Sequence, residues 1–583
     1  MQELFLSHIN SSKNAIEVAS GYFQKFYHDK DIFDQNIGIY KLTGVLDNSS
    51  SIYNKPINLN KYEYALVIGE PTVEGSPFKS TEEFSTFVLD DKKLVKTLDG
   101  DFTILLINSI QHDISIYTSK LGLLPLYLYQ LQDDVILSSR LGILHQVVDK
   151  IGINKGALMQ QCLYNYCISD QTIFENVTLL PSASVVEITD GKKKSVKYWS
   201  VIEEMERHPL NRKESVACIN NSLDNIIRDL LNNQNHVAIS LTGGWDGRLI
   251  LAYALKYLST ENIQLYSFGT RDAPDVFLPE RTSKKLGYNY LPVYLDSEDY
   301  QKQIVRWAKE TAFNSDGMRS VKRSHYMFAM DLLGNSTDVV ISGNGGSNLI
   351  KSSKLAPSNV FNKYVLEVVF SKDRFETARQ QYQILKSKYS PLFDDIAEEN
   401  FLQSFKSEEL DWLYTNFENE KRLVVYLTGD IERKYFGFEI QSYRHLIKNK
   451  SPFFDMRFIR DLSKTIFFGG YDYDQGKLTG LKNARFYAKL VYQNNVKLSK
   501  ELTDRGFSLF DLLFPINPMI PFNYKKAKGL GNTGQLDYFQ NKDLLDRLIS
   551  FRPNEIQNLY AKLKQDDVVS NHITVSEFLN QLN

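Results

Sequence analysis

Over the first 200 residues or so, apolar positions come in short alternating or clustered runs broken by turn residues, a pattern that predicts strands. TFVLDDKKLVKTLDGDFTILLI (86–107) ends in an apolar strand after a turn at Asp99–Asp101. ISIYTSKLGLLPLYLYQLQDDVILSS (114–139) gives two strand-like runs around Gly122 and Pro125, with a polar turn at Gln130–Asp134. GALMQQCLYNYCI (156–168) has helical spacing, and VTLLPSASVVEITDGKKKSVKYW (177–199) is a hairpin turning at Asp190–Gly191. The polar segment 200–214 marks a boundary. Beyond it the period changes: HVAISL (236–241) and IQLYSFG (263–269) are short strands, and RLILAYALKYL (248–258) is an apolar helix. DVVISGNGG (338–346) is a strand running into glycines. Strands alternating with helices predict a parallel α/β sheet. From about 356 onward the long segments read as helices, and no repeat or low-complexity tract interrupts them.

Bulk properties remove several function classes. A chain of 583 residues, 43% hydrophobic, holds at least two cores, and we place domains at 1–205 and 206–583. With 68 basic and 70 acidic residues the net charge is -2, so nothing draws the whole chain to nucleic acid or an anionic membrane. Three cysteines, Cys162, Cys167 and Cys218, are too few for a disulfide framework, and they and the nine histidines show no metal spacing. The first residues carry no signal-like pattern, and no apolar run reaches the roughly 18–20 residues of a membrane span. The expectation is a cytoplasmic protein.

The sharpest motif is Leu241-Thr242-Gly243-Gly244-Trp245-Asp246-Gly247-Arg248, between a predicted strand and a predicted helix. Glycines allow close backbone approach, and the N–H groups at a helix start favour an anion. An acid inside such a loop would repel phosphate unless it held Mg²⁺ bridging to it. A tight strand-to-helix turn with a helix-initiating Asp is the plain alternative.

The loop resembles the Ser-Gly-Gly-x-Asp-Ser signature of ATP pyrophosphatases, and further landmarks resemble asparagine synthetase in order. These are GDFTILLI (100–107), SKLGLLPLYLY (119–129), VILSSRLGIL (135–144), QTIFENVTLLPSASVVEI (171–188) with KYW (197–199), VVISGNGG (339–346) and SPFFDMRFI (451–459). The resemblance covers about 100–460, with a trace to 510. It implies an Ntn-hydrolase-like β-rich sandwich followed by an ATP-pyrophosphatase-type parallel α/β domain with helical additions. It also implies ATP and Mg²⁺ as cofactors and an amide-forming ligase that passes through an acyl-adenylate. Asp246 would hold the metal. Leu241, Thr242, Gly243, Gly244, Asp246, Gly247, Arg248, Ser267, Gly269, Gly343 and Gly345 would surround the nucleotide. Ordinary strand termination is an equal reading of Ser267 and Gly269, as is a solvated acid for Asp275; Asp455 reads as a helix-capping residue before a catalytic one, and core filling is at least as good a reading of Trp245 as stacking on a substrate.

The sequence departs from that family in both halves. The family's free N-terminal cysteine is absent: the chain reads Met1-Gln2, with no cysteine before Cys162. This implies no glutamine hydrolysis, as in the divergent relatives, β-lactam synthetases and lasso-peptide cyclases, that use other amines. The family's Asp-Glu pair falls on Ser347-Asn348, its glutamate near Lys448, and its catalytic lysine near Arg485, with Lys482 and Lys489 close by. Arg248, Lys448 and Arg485 are therefore expected to converge on the phosphates, with surface charges as the dull alternative for the last two. Expected partners are small-molecule or peptide carboxylate and amine substrates; a homodimer or a biosynthetic partner protein also stays open. Two readings stand: a ligase, and a catalytically impaired regulatory or scaffolding subunit.

Overall fold

The computed structural model describes the chain apart from residues 1–2, 9–13, 28–29, 47–51, 133, 206–208, 351–359, 361, 469–470, 473–476, 479, 515–565 and 583. Met1 and Gln2 lie outside the described residues, as does the side chain of Lys482.

The first half is a mixed layered unit built on two six-stranded antiparallel sheets. One runs 177–179, 127–131, 134–138, 3–8, 40–45, 32–37; the other runs 192–197, 184–189, 114–118, 102–108, 63–69, 57–58. Alternation along each strand sets the layers. Leu4, Leu6, Leu66, Leu105, Ile107, Ile116, Leu128 and Leu137 form one buried cluster between the sheets. Phe5, facing the other way, packs with Ala19, Tyr22 and Phe23 of the helix Ala15–Phe26. Ile104 and Leu106 pack with Phe84 and Val88 of the helix Thr81–Asp90. The result is helix, sheet, sheet, helix.

The hairpin at 190–191 has positive φ at Asp190 (48°) and Gly191 (71°), as a tight two-residue turn requires. The stretch 81–97 departs from the mostly-strand expectation for this half. Residues 81–90 are α-helical and 92–97 form a 3₁₀ turn. Ser80 caps the helix by accepting from the Glu83 N–H at 3.3 Å, and Glu83 Oε2 accepts from the Lys79 N–H at 2.7 Å. That reciprocal cap was in the sequence as Ser-Thr-Glu-Glu.

The second half carries a five-stranded, wholly parallel sheet in the order 289–294, 263–269, 237–240, 339–341, 448–450. The chain enters at the central strand, winds two strands to one side, and crosses to the other side for the last two. Helices Arg212–Leu231, Asp246–Ala254, Pro274–Leu286, Glu298–Asn314 and Ser324–Gly334 belong to this winding. A helical region follows from Lys363. In it the residues 419–443 form one continuous helical run whose middle is π-helical over Leu427–Ile431 and Arg433–Gly437. The last helix, Asp567–Leu582, returns to the first half: Asn571 donates to the Cys162 carbonyl at 3.0 Å, and Phe578 and Leu582 join the core under the first sheet.

Candidate functional site

In a parallel sheet the crevice opens where consecutive connections leave the sheet in opposite directions, beyond the carboxyl ends of the strands. Here that point lies between 237–240 and 339–341, and the two loops leaving it are the glycine loop 241–247 and the turn Ser342–Gly346. They touch. A Cβ on Gly343 would stand 2.8 Å from the Asp246 Cβ, and one on Gly346 would stand 3.0 Å from Asp246 Oδ1. Gly247 is fixed by another close approach, since its Cβ would stand 1.9 Å from the Ser240 carbonyl oxygen. Gly345 adopts φ +86° against the Phe454 ring.

Asp246 opens the helix 246–254. Ser347 donates a short hydrogen bond to its Oδ2, and the Tyr487 hydroxyl donates to Oδ1 at 2.6 Å. Burial, with the Asp246 charge beside it, pushes the Tyr487 phenol well above its ordinary value, so it remains a donor. Thr242 Oγ1 accepts from the Gly244 N–H at 3.1 Å, and Asp275 Oδ1 from the Gly243 N–H at 3.0 Å. Asp275 is thus a loop-binding acid at the start of the helix 274–286. A third acid, Asp504, lies against Gly243, whose carbonyl accepts from the Asp504 N–H at 2.9 Å; Arg505 stands 3.5 Å from it.

The expected convergence of cations is corrected. Arg248 is fully buried and donates to the carbonyls of Gly244 (3.2 Å) and Leu502 (2.6 Å), tying the loop to the segment 501–504. Burial pulls its guanidinium down to about 10, against the raising pull of Asp504 and Glu501. Arg485 is exposed on the helix Gly480–Asn494, two residues before Tyr487. Two residues turn a helix by roughly 200°, so Tyr487 facing Asp246 puts Arg485 on the far side. Lys489 is exposed for the same reason.

Lys448 sits on the last strand of the sheet, 42% exposed, with Nζ 3.8 Å from Glu70 of the first half. It lines a cavity of about 340 Å³ at the seam between the halves, with Glu70, Asp101, Leu124, Lys450 and Phe454. Burial pushes the Asp101 carboxyl there up to about 7, with Lys450 opposing and Asp455 and Glu70 adding to the rise.

Ser267 is buried with its hydroxyl 2.6 Å from the Tyr290 hydroxyl, and the Gly269 carbonyl accepts from the Leu295 N–H at 3.0 Å. Asp455 caps the helix Met456–Ser463 and pairs with Arg457 at 2.8 Å. Trp245 packs on the core, its ring 5.9 Å from that of Tyr487. Tyr487 is the residue that sequence reasoning missed.

Asp246 meets the need of Mg²⁺ for one or two carboxylates alongside substrate phosphates, and its two hydroxyl donors are the kind of support that carboxylate ligands have. Among the described residues, three carboxylates come close enough to share an ion only at Asp170, Glu409 and Asp430, far from the loop in sequence. There Arg433 and Lys434 already neutralise Asp430 at 2.7 and 2.8 Å.

Residues 84–199 match the glutamine amidotransferase domain family. The chain is 22% identical over 361 residues to a probable glutamine-hydrolysing asparagine synthetase of Acanthamoeba polyphaga mimivirus, covering 60% of this chain and 62% of that one. It is 21% identical over 238 residues to putative asparagine synthetase 1 of Methanocaldococcus jannaschii, covering 40% of each. The matches therefore span less than two thirds of these relatives. A glutamine PRPP amidotransferase from B. subtilis, solved with ADP and GMP, aligns with a TM-score of 0.24 at 11% identity, over 46% of this chain and 66% of that one. The first half thus contains a segment similar to glutamine amidotransferase domains, and up to 60% of the chain is similar to asparagine synthetases.

Proposed function

We propose that this protein is an ATP-dependent amide-forming ligase of the asparagine synthetase type, in which the N-terminal half is a scaffold and the amine donor is not glutamine. The observation that carries the reading is the meeting of two glycine loops around Asp246 at the crossover crevice of a parallel sheet. The helix starting at Asp246 turns its first N–H groups toward the crevice, where they favour a polyphosphate. Asp246 would hold Mg²⁺, which when bound supplies positive charge to the leaving pyrophosphate. The substrate carboxylate attacks the α-phosphorus of ATP, pyrophosphate departs, and an amine displaces AMP from the acyl-adenylate. The scaffold role is supported by the cysteines: burial pushes the thiols of Cys162, Cys167 and Cys218 up, away from the thiolate a nucleophile needs. The divergent branch that includes β-lactam synthetases and lasso-peptide cyclases offers a chemical precedent for this reading.

A second reading, nucleotide binding without turnover, draws on the fate of the cations, since Arg248 is spent on carbonyls and Arg485 stands on the far helix face. ATP–pyrophosphate exchange across candidate carboxylates separates the two. Carboxylate-dependent exchange by the intact protein is expected. Nucleotide binding with no exchange on any carboxylate selects the second reading. Glutamine incubated with the protein should release no glutamate above background; clear release removes the scaffold role.

A further inference from the structure

The two hydroxyls on Asp246 come from separate parts of the chain. Ser347 is 101 residues away, one position beyond the turn 342–346, and Tyr487 is 241 residues away on the helix 480–494. A buried tyrosine needs a partner for its hydroxyl, and a backbone carbonyl is the usual answer. This chain uses that answer in places, as where Tyr382 donates to the Ile396 carbonyl at 2.7 Å and Tyr40 to that of His112 at 2.6 Å, and in others it gives a buried tyrosine a carboxylate, as Tyr127 to Asp316 at 3.0 Å inside a charge-matched cluster. Tyr487, fully buried, donates to the Asp246 carboxylate at the crossover, and Ser347 donates to that carboxylate's other oxygen. Donation to a charged acceptor is stronger than to a neutral one, and two donors on two oxygens fix both the rotamer and the plane of the carboxyl group. A carboxylate offers about four lone-pair sites, so each oxygen keeps one for another partner.

We infer that Tyr487 and Ser347 are the positioning residues of Asp246, holding it as a single carboxylate ligand for the divalent cation that arrives on a nucleotide polyphosphate. The inference rests on the reading of the crevice as a metal–phosphate site and adds how the chain manages with Ser347-Asn348 in place of an acid pair. One carboxylate oriented by neutral hydroxyls is too weak to retain the ion alone, and it suffices once phosphate oxygens complete the shell. Metal and nucleotide therefore bind together.

The test uses Mn²⁺ with α,β-methylene-ATP and the full chain, read by water-proton relaxation enhancement, which reports Mn²⁺ on the protein rather than on free nucleotide. Mn²⁺ alone should give no enhancement at sub-millimolar concentration, and Mn²⁺ with the analogue should give a saturable one. Tyr487→Phe and Ser347→Ala should each raise the half-saturating Mn²⁺ concentration about tenfold. Ser347→Thr should restore the wild-type value, and Ser347→Asp should create enhancement without nucleotide. Ser347→Ala carries the test by itself should Tyr487→Phe fail to fold, which thermal unfolding detects. A wild-type ternary complex that Asp246→Asn abolishes but that Tyr487→Phe and Ser347→Ala leave within twofold overturns the inference and leaves the crevice reading standing. No ternary complex in the wild type overturns both.

Discussion

The seam between the two halves and the crevice of the parallel sheet are both built from charged side chains, but they balance them differently. At the seam, Glu3 of the first strand is completely buried and faces two guanidinium groups, Arg140 at 2.8 Å and Arg444 at 2.6 Å, while Ser139 donates to it at 2.5 Å. Nearby, Asp316 accepts from Tyr127 at 3.0 Å and from Gln441 at 2.7 Å, and Arg140 reaches the Asn314 carbonyl at 2.6 Å. Charge there is matched inside the protein. At the crevice, Asp246, Asp275 and Asp504 border one loop, and Arg248, buried beside them, is turned onto carbonyl oxygens. A matched cluster needs nothing further and serves structure, whereas an acid-rich cleft under a helix start suits a ligand that brings cationic charge with its phosphates.

Exchanging one residue on each side sharpens this contrast. Glu3→Gln leaves two buried guanidinium groups uncompensated and should cost about 3–5 kcal/mol, read as a fall in the denaturation midpoint, with nucleotide binding per folded molecule unchanged. The pH profile carries the same signature. Burial raises the Glu3 carboxyl, but Arg140 and Arg444 more than reverse this and hold it at about 2. Its contribution is therefore present above the ordinary value of 4.5 and is lost as pH falls from there toward 2. The Glu3→Gln deficit should shrink across that window.

Asp246→Ala should do the opposite, lowering ATP–pyrophosphate exchange by about 10²–10³-fold with little change in the melting temperature. A variant that keeps its exchange activity removes Asp246 from the site. Gly247→Ala drives a methyl group into the Ser240 carbonyl and should cost about 1–3 kcal/mol, measured by denaturant titration, while shifting the loop.

Asp101→Asn is the smallest expected change. Because burial raises this carboxyl to about 7, its folded form holds the proton longer than the unfolded chain, and wild-type stability falls as pH rises from about 4 to 7. The asparagine variant should gain melting temperature relative to wild type at pH 7.5 and show no gain at pH 4. An equal offset at both values would remove Asp101 as a titrating group.

Much of the framework was legible because it is written in short-range pattern. The strand 263–269 falls on its predicted bounds, and the glycine loop lies between a strand and a helix as its composition demands. The helix at 81–90 was missed because its two buried apolar residues, Phe84 and Val88, give too weak a stripe, although the cap at Ser80 announced it. The site divides the same way. Asp246 is marked by its local glycines. Tyr487 is one aromatic among many apolar positions of a helix, and only the fold brings it to a carboxylate 241 residues away. Arg248, Lys448 and Arg485 were grouped by their sequence neighbours, and distance along the chain carries no information about which way a helix face or strand edge turns.

The ion pair at Glu3 also sets an order of events. Glu3 leaves the ribosome well before one of its partners, Arg444, which is 441 residues later. At about 5–20 residues per second, roughly 20–90 s pass before that guanidinium exists. Over this interval the first sheet can pair its strands, but the carboxylate meant for burial faces Arg140 alone or stays in water. The N-terminal half should therefore reach its final packing only after the second half is made, and a chaperone that holds the nascent sheet open would act on this segment over that interval.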